Sequence, residues 1–161
     1  MAEGEFALIA EHLEAALRQP LTLTRWGSAA TDLDVLVLFA EYAAERSLPG
    51  QAAYAQRALQ AAEAVGHQLY QGSARWALGQ AHLRAGALDE AETSFAQALE
   101  LFQAVPAPWQ AARTWLALAS VDQARAQPEL ARPMLELALS EFQALGAAPD
   151  AERAVAALRL L

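Results

Sequence analysis

The chain has 161 residues, with 19 acidic and 11 basic side chains, a net charge of −8 and an apolar fraction of 55%. That charge argues against a nucleic-acid backbone partner, which clustered Lys and Arg would have to neutralise, and the absence of cysteine excludes disulfides and thiol chemistry. No run of about 20 apolar residues offers a membrane span, and Met1–Phe6 is acidic where a secretion signal is basic, so no membrane partner and a cytoplasmic location are expected.

The first element in chain order is a helix over residues 3–18, whose Phe6, Ile9, Leu13 and Leu17 form one apolar stripe ended by Pro20. Residues 20–30 have no helical stripe and read as a loop or linker that Trp26 pins to the body. Thr31 suits an N-cap, with Asp32 and Asp34 at the positive end of the helix dipole. Val35–Phe39 has the local propensity of a buried strand, but a lone strand finds no partner in an otherwise helical chain; the reading is a helix to about Glu45. Pro49 suits the first turn of the next helix, which Gly66 ends.

Residues 72–104 read as two amphipathic helices back to back. The first carries Ala74, Leu78, Ala81 and Ala85, begins near Gln68, and passes through Gly72 at a cost of about 1 kcal/mol relative to Ala. Gly86 breaks it. The second carries Leu88, Ala91, Phe95, Ala98, Leu99 and Phe102, with Asp89 and Glu90 in its first turn. Pro106 and Pro108 separate this hairpin from a helix over about 108–126, with the stripe Ala111, Trp115, Leu118 and Asp122. Another helix runs from Pro128 to Leu145, with Pro133 expected to kink or loosen its first turns, and a terminal helix runs from Pro149 to Leu160.

Shifted by 40 residues, the hairpin aligns with the following segment: Leu78 falls on Leu118, Ala91 on Ala131, Ala98-Leu99 on Ala138-Leu139, and Phe102 on Phe142. Shifted backwards, Leu78 falls on Leu38, His82 on Tyr42, and Ala98-Leu99 on Ala58-Leu59. The units are therefore 32–71, 72–111 and 112–151, with a half unit over 152–161 and the N-terminal helix and linker over 1–31.

Leu78-Gly79, His82, Ala91, Phe95 and Ala98, with Trp115 in the third unit, resemble the motif of the tetratricopeptide repeat family. His82 stands where that motif has Tyr, Arg75 where Trp is common, and the 40-residue period is longer than the family's 34. The resemblance covers about residues 32–161. It implies an all-α fold: a right-handed superhelical stack of antiparallel helix pairs, about eight helices in all, in which each pair buries its apolar face only against its neighbours. Longer units of this kind resemble the helical sensor arrays of large bacterial regulators and signalling ATPases. The absence of Lys and Asn, both with A-rich codons, fits a GC-rich bacterial genome.

Little in the sequence suggests chemistry. His12, His67 and His82 form no close ligand pattern, Asp32 and Asp34 are better spent on the helix dipole than on a metal, and no P-loop, GxGxxG or GxSxG motif occurs. His82 reads as a satisfied core histidine. The expectation is a protein that is not an enzyme and needs no cofactor or metal. The resemblance implies that the first helix of each unit lines a concave groove that holds another protein or an extended peptide. The candidate groove residues are Trp76, Gln80, Leu83 and Arg84 in the central unit, Arg113, Leu116, Ser120 and Gln123 in the third, and Arg153 in the half unit. Aromatic side chains beside Arg are a common hot-spot composition. Trp76 and Leu83 have a second reading, as packing against the preceding unit. An alternative function is ligand sensing or assembly within a larger regulator. Homo-oligomers are a further expectation, with Leu158, Leu160 and Leu161 in search of cover.

Overall fold

The computed structural model describes residues 29–161, in seven α-helices with no strand among them. They are α1 (Ala29–Arg46), α2 (Gln51–Ala64), α3 (Gln68–Arg84), α4 (Leu88–Ala104), α5 (Pro108–Ala124), α6 (Pro128–Ala144) and α7 (Ala148–Leu158). The expected helix over 3–18 and most of the expected linker lie outside the described residues. By its contacts the chain divides into Met1–Thr31 and Asp32–Leu161, and the second unit carries the packing below.

The period is a property of the helices themselves. From α3 to α6 each is 17 residues long, and from α3 to α7 a helix begins every 20 residues after a link of three. Four of those links share one geometry. Gly66, Gly86, Ala126 and Gly146 are left-handed, with φ between 57° and 75°. The next N–H reaches back five residues, as in His67 N–H to Ala62 O at 3.0 Å and Gln127 N–H to Asp122 O at 2.9 Å. This is the Schellman ending, which occupies the otherwise orphaned last carbonyls. The link after α4 departs from it, because Pro106 cannot take a positive φ; Val105 is extended there instead.

Two element boundaries differ from expectation. Helix α1 is already helical at Ala29, the first described residue, ahead of the expected Thr31 cap. Helix α2 starts at Gln51, not Pro49: Gly50 takes the N-cap at φ 78°, leaving Pro49 in the preceding turn. Helix α6 runs unbroken from Pro128 to Ala144 with Pro133 inside it. Val35–Phe39 is helical, with Leu36, Val37 and Phe39 buried and Val35 and Leu38 exposed.

Each of α2 to α7 packs on its neighbour in sequence, and α3 also touches α5. Phe39 of α1 meets Tyr54 of α2 edge to face, with ring centroids 4.8 Å apart. The closest approach is between α3 and α4. A Cβ on Gly72 would stand 2.6 Å from the Phe102 ring, and one on Gly79 2.6 Å from the Phe95 ring. The two glycines lie seven residues apart and meet two phenylalanines seven residues apart in the opposite order, so the pair is antiparallel. Gly72 is therefore a packing requirement and not only a propensity cost. In the next unit Ala112 shares a cluster with Ala138 and Phe142, and Ala119 one with Ala131 and Leu135. The burial of α5 departs from the expected stripe Ala111, Trp115, Leu118 and Asp122: Leu118 and Asp122 are buried, Ala111 and Trp115 only half-buried, and Ala112, Arg113, Thr114, Ala117, Ala119 and Val121 are buried instead, because the helix is covered by α3, α4 and α6 together. Leu158 and Leu161 fold back on the Ala119 cluster, while Leu160 stays exposed. Among the described residues no helix is long and apolar enough to cross a membrane.

Ala126 pays for its turn with a left-handed backbone at φ 57° that costs a non-glycine residue about 1 kcal/mol. Ala126→Gly is expected to raise stability by about 0.5–1 kcal/mol in urea unfolding, net of the extra freedom glycine gives the unfolded chain. A loss of stability in that variant would contradict the turn geometry.

Candidate functional site

The odd-numbered helices α1, α3, α5 and α7 form a row tied together by side chains. Tyr70 of α3 donates its hydroxyl to Asp34 of α1, and that bond raises the Tyr70 pKa above its ordinary value. Arg84 at the end of α3 donates to Gln51 Oε1 at 2.7 Å and to the Glu45 carbonyl at 3.4 Å. Trp109 Nε1 of α5 donates to Asp150 Oδ2 of α7 at 2.9 Å, and Gln123 Nε2 to the Ala157 carbonyl at 3.4 Å.

Arg113 is the centre of this row. Its guanidinium lies 3.7 Å from the ring centre of Trp76 on α3 and 4.8 Å from that of Trp109, one turn earlier on α5. One end donates to Glu41 Oε1 at 2.6 Å and the other to Glu45 Oε1 at 3.4 Å, both on α1. The side chain thus crosses the face of α3 and is only 6% exposed. The two indole rings and the two carboxylates stand where water would otherwise hydrate this guanidinium, so ring quadrupoles and charge-assisted hydrogen bonds replace the lost hydration. Arg113 Nε and Trp76 Nε1 are buried and find no hydrogen-bond partner among the described residues.

The expected groove residues therefore divide. Trp76 and Arg113 come together, but buried and engaged with each other. Leu116 packs against both α5–α6 clusters, and the Ser120 hydroxyl bonds back to the Leu116 carbonyl at 3.0 Å. Gln80 and Leu83 are half-buried on α3, and Gln123 half-buried on α5. Arg84 is exposed. Arg153 is the most open, 65% exposed, and reaches Asp150 Oδ1 one turn away at 3.3 Å. Trp109, Glu41 and Glu45 were not singled out from sequence. The signal for them was spacing: Trp109/Arg113 and Glu41/Glu45 each sit four apart, on one face of a helix.

His82 is half-buried at the end of α3, its Nδ1 3.3 Å from the Ser94 hydroxyl of α4. The equivalent position one unit later is Asp122, which is buried with Oδ2 unpartnered. Burial raises its pKa first, with Glu92 and Glu129 adding to the shift and Arg125 opposing it. Arg125 itself is held by Glu92 and Asp89 of α4. Among the described residues no three His, Asp or Glu side chains are placed to hold a metal ion. No family model, curated protein or solved structure matches this chain.

The raised pKa of Asp122 has a definite sign. The folded state binds its proton more tightly than the unfolded chain, so the ionised carboxylate opposes folding fully above the raised pKa. That opposition fades as pH falls through it towards the ordinary value. Asp122→Asn is expected to be more stable than the parent at neutral pH, with the difference shrinking towards about pH 4. Denaturant titrations at the two pH values check this; a variant less stable than the parent at neutral pH would contradict the assignment.

Proposed function

We propose that the helices stack as a right-handed superhelical array of the tetratricopeptide type, and that the row α1, α3, α5, α7 is the surface on which another protein or an extended peptide lies. The observation that carries this reading is the row itself. Helices α3, α5 and α7 begin 40 residues apart, and side-chain bonds link them to one another and to α1, which supports reading the four as one face of mixed chemistry. On it Gln80, Leu83, Arg84, Ser120, Gln123 and Arg153 offer apolar contact, amides and charge to a ligand.

Trp76, Leu116 and Arg113 form the floor beneath that ligand. A partner's carboxylate gains Arg113 by replacing Glu45, whose bond is the longer of the two and whose side chain is 51% exposed, while Glu41 keeps the guanidinium in place. The freed Nη1 end then donates a charge-assisted hydrogen bond to the incoming carboxylate, at a position that Glu41 and the two indole rings hold fixed.

The partner is to be found by capture from the source organism's lysate on the immobilised chain, followed by mass spectrometry. Leu83→Asp and Arg84→Glu are then expected to weaken binding about tenfold or more, a loss of about 1.4 kcal/mol. Added salt should weaken the parent's binding as well. Glu136→Ala on the exposed face of α6 should bind like the parent. Arg113→Ala is not the diagnostic variant, since it strands Glu41 and changes the floor. Parent-like binding by both groove variants would overturn the reading.

A further inference from the structure

Helix α7 occupies the place of a first helix, as α3 and α5 do, but among the described residues no second helix covers its outer side. A groove of about 630 Å³ remains there, with Leu139 and Phe142 of α6 and Ala151 and Val155 of α7 among its lining and Glu152 and Arg159 at its edge. The repeat says what those last two positions do elsewhere. Glu152 is equivalent to Gly72 and Ala112, and Arg159 to Gly79 and Ala119. In α3 these are the points where the second helix approaches too closely for a Cβ. In α5 they are fully buried alanines, Ala112 sharing its cluster with Phe142 and Ala119 with Leu135.

A helix built like α4 or α6 would press a Phe- or Leu-sized side chain onto each of two exposed charges. The groove is therefore shaped for something other than the next repeat helix. The side chains of Glu152 and Arg159 make no hydrogen bond or ion pair among the described residues, and they sit two helical turns apart on one face. That arrangement is complementary to itself. When two such helices cross antiparallel about a two-fold axis, each Glu152 meets the partner's Arg159 and each Val155 meets the partner's Ala156. Antiparallel is also the direction in which a first helix meets its second helix in the earlier units.

We propose that this groove is the interface of a symmetric dimer, in which α7 of a second copy takes the place that a second helix holds beside α3 and α5. The apolar lining supplies the affinity. The two ion pairs, each weak at a surface, set the register and the antiparallel direction.

Sedimentation equilibrium on the whole chain, up to about 100 μM, reads the outcome, since a micromolar complex is largely formed there. The parent is expected to be dimeric. Glu152→Arg alone and Arg159→Glu alone each turn both ion pairs into repulsions and are expected to lose affinity about tenfold or more. Mixed in equal amounts, the two variants carry opposite charges at every contact and are expected to form a heterodimer of parental affinity. Both residues are exposed, and circular dichroism should match the parent. Because the chain has no cysteine, Ala156→Cys gives an independent readout: mild oxidation should cross-link it as a dimer. A monomeric parent, a dimer that ignores both charge reversals, or no cross-link through residue 156 would each overturn the proposal.

Discussion

At Gly79 the backbone of α3 comes so close to the Phe95 ring that a single added carbon would overlap it. Two glycines set against two phenylalanines make the α3–α4 pair the tightest seam in the array, because a large side chain reaches the partner's backbone when nothing stands in between. The flanking pairs reach the same end with other sizes. In the third unit Ala119 stands for Gly79 and Leu135 for Phe95, so a larger residue on one helix goes with a smaller one on the other. The exchange operates at that pair, whereas Ala112 shares its cluster with Phe142 much as Gly72 meets Phe102. The terminal α7 breaks it by placing Glu152 and Arg159 at the same two positions.

A second constraint follows from the first. Helices held in a fixed repeat place the odd-numbered members side by side, and their facing side chains then have to be satisfied. Arg113 does most of this. It joins α5 to α1 across α3, with Trp76 and Trp109 as its walls. A buried ion pair of this kind is weak evidence for stability, since desolvation offsets most of the Coulombic gain. Its clearer consequence is geometric: it fixes which faces of α1, α3 and α5 look inward. Asp122 lacks such a partner at a position that holds His82 in the unit before, and its raised pKa records that difference.

The helical repeat was legible because it depends on local chemistry. Glycine after Val65, Ala85 and Leu145 marks left-handed helix ends, and the alanines and phenylalanines of α4 and α6 sit at a spacing only a helix buries on one side. What the sequence hid was long-range. Arg113 looked like a surface hot spot and Trp76 like either that or a residue packed on the preceding unit, and nothing local says that two glutamates on α1, about seventy residues away, pair with that arginine from across α3. The α1 start and the Pro49 turn were misplaced for a smaller reason: helix ends depend on single caps, and Gly50 outcompeted Pro49. The purpose of Gly72 was invisible without Phe102 beside it.

The account rests on close backbone approach as the origin of the repeat, and a double-mutant cycle on Gly79 and Phe95 tests it. Gly79→Ala alone is expected to destabilise by about 1–3 kcal/mol despite the better helix propensity of alanine. Phe95→Leu alone leaves a gap and costs about 1 kcal/mol. The double variant reproduces the Ala119/Leu135 pairing of the next unit and is expected to recover most of the first loss, a coupling above about 1 kcal/mol. Additive losses, or a Gly79→Ala variant as stable as the parent, would contradict the claim.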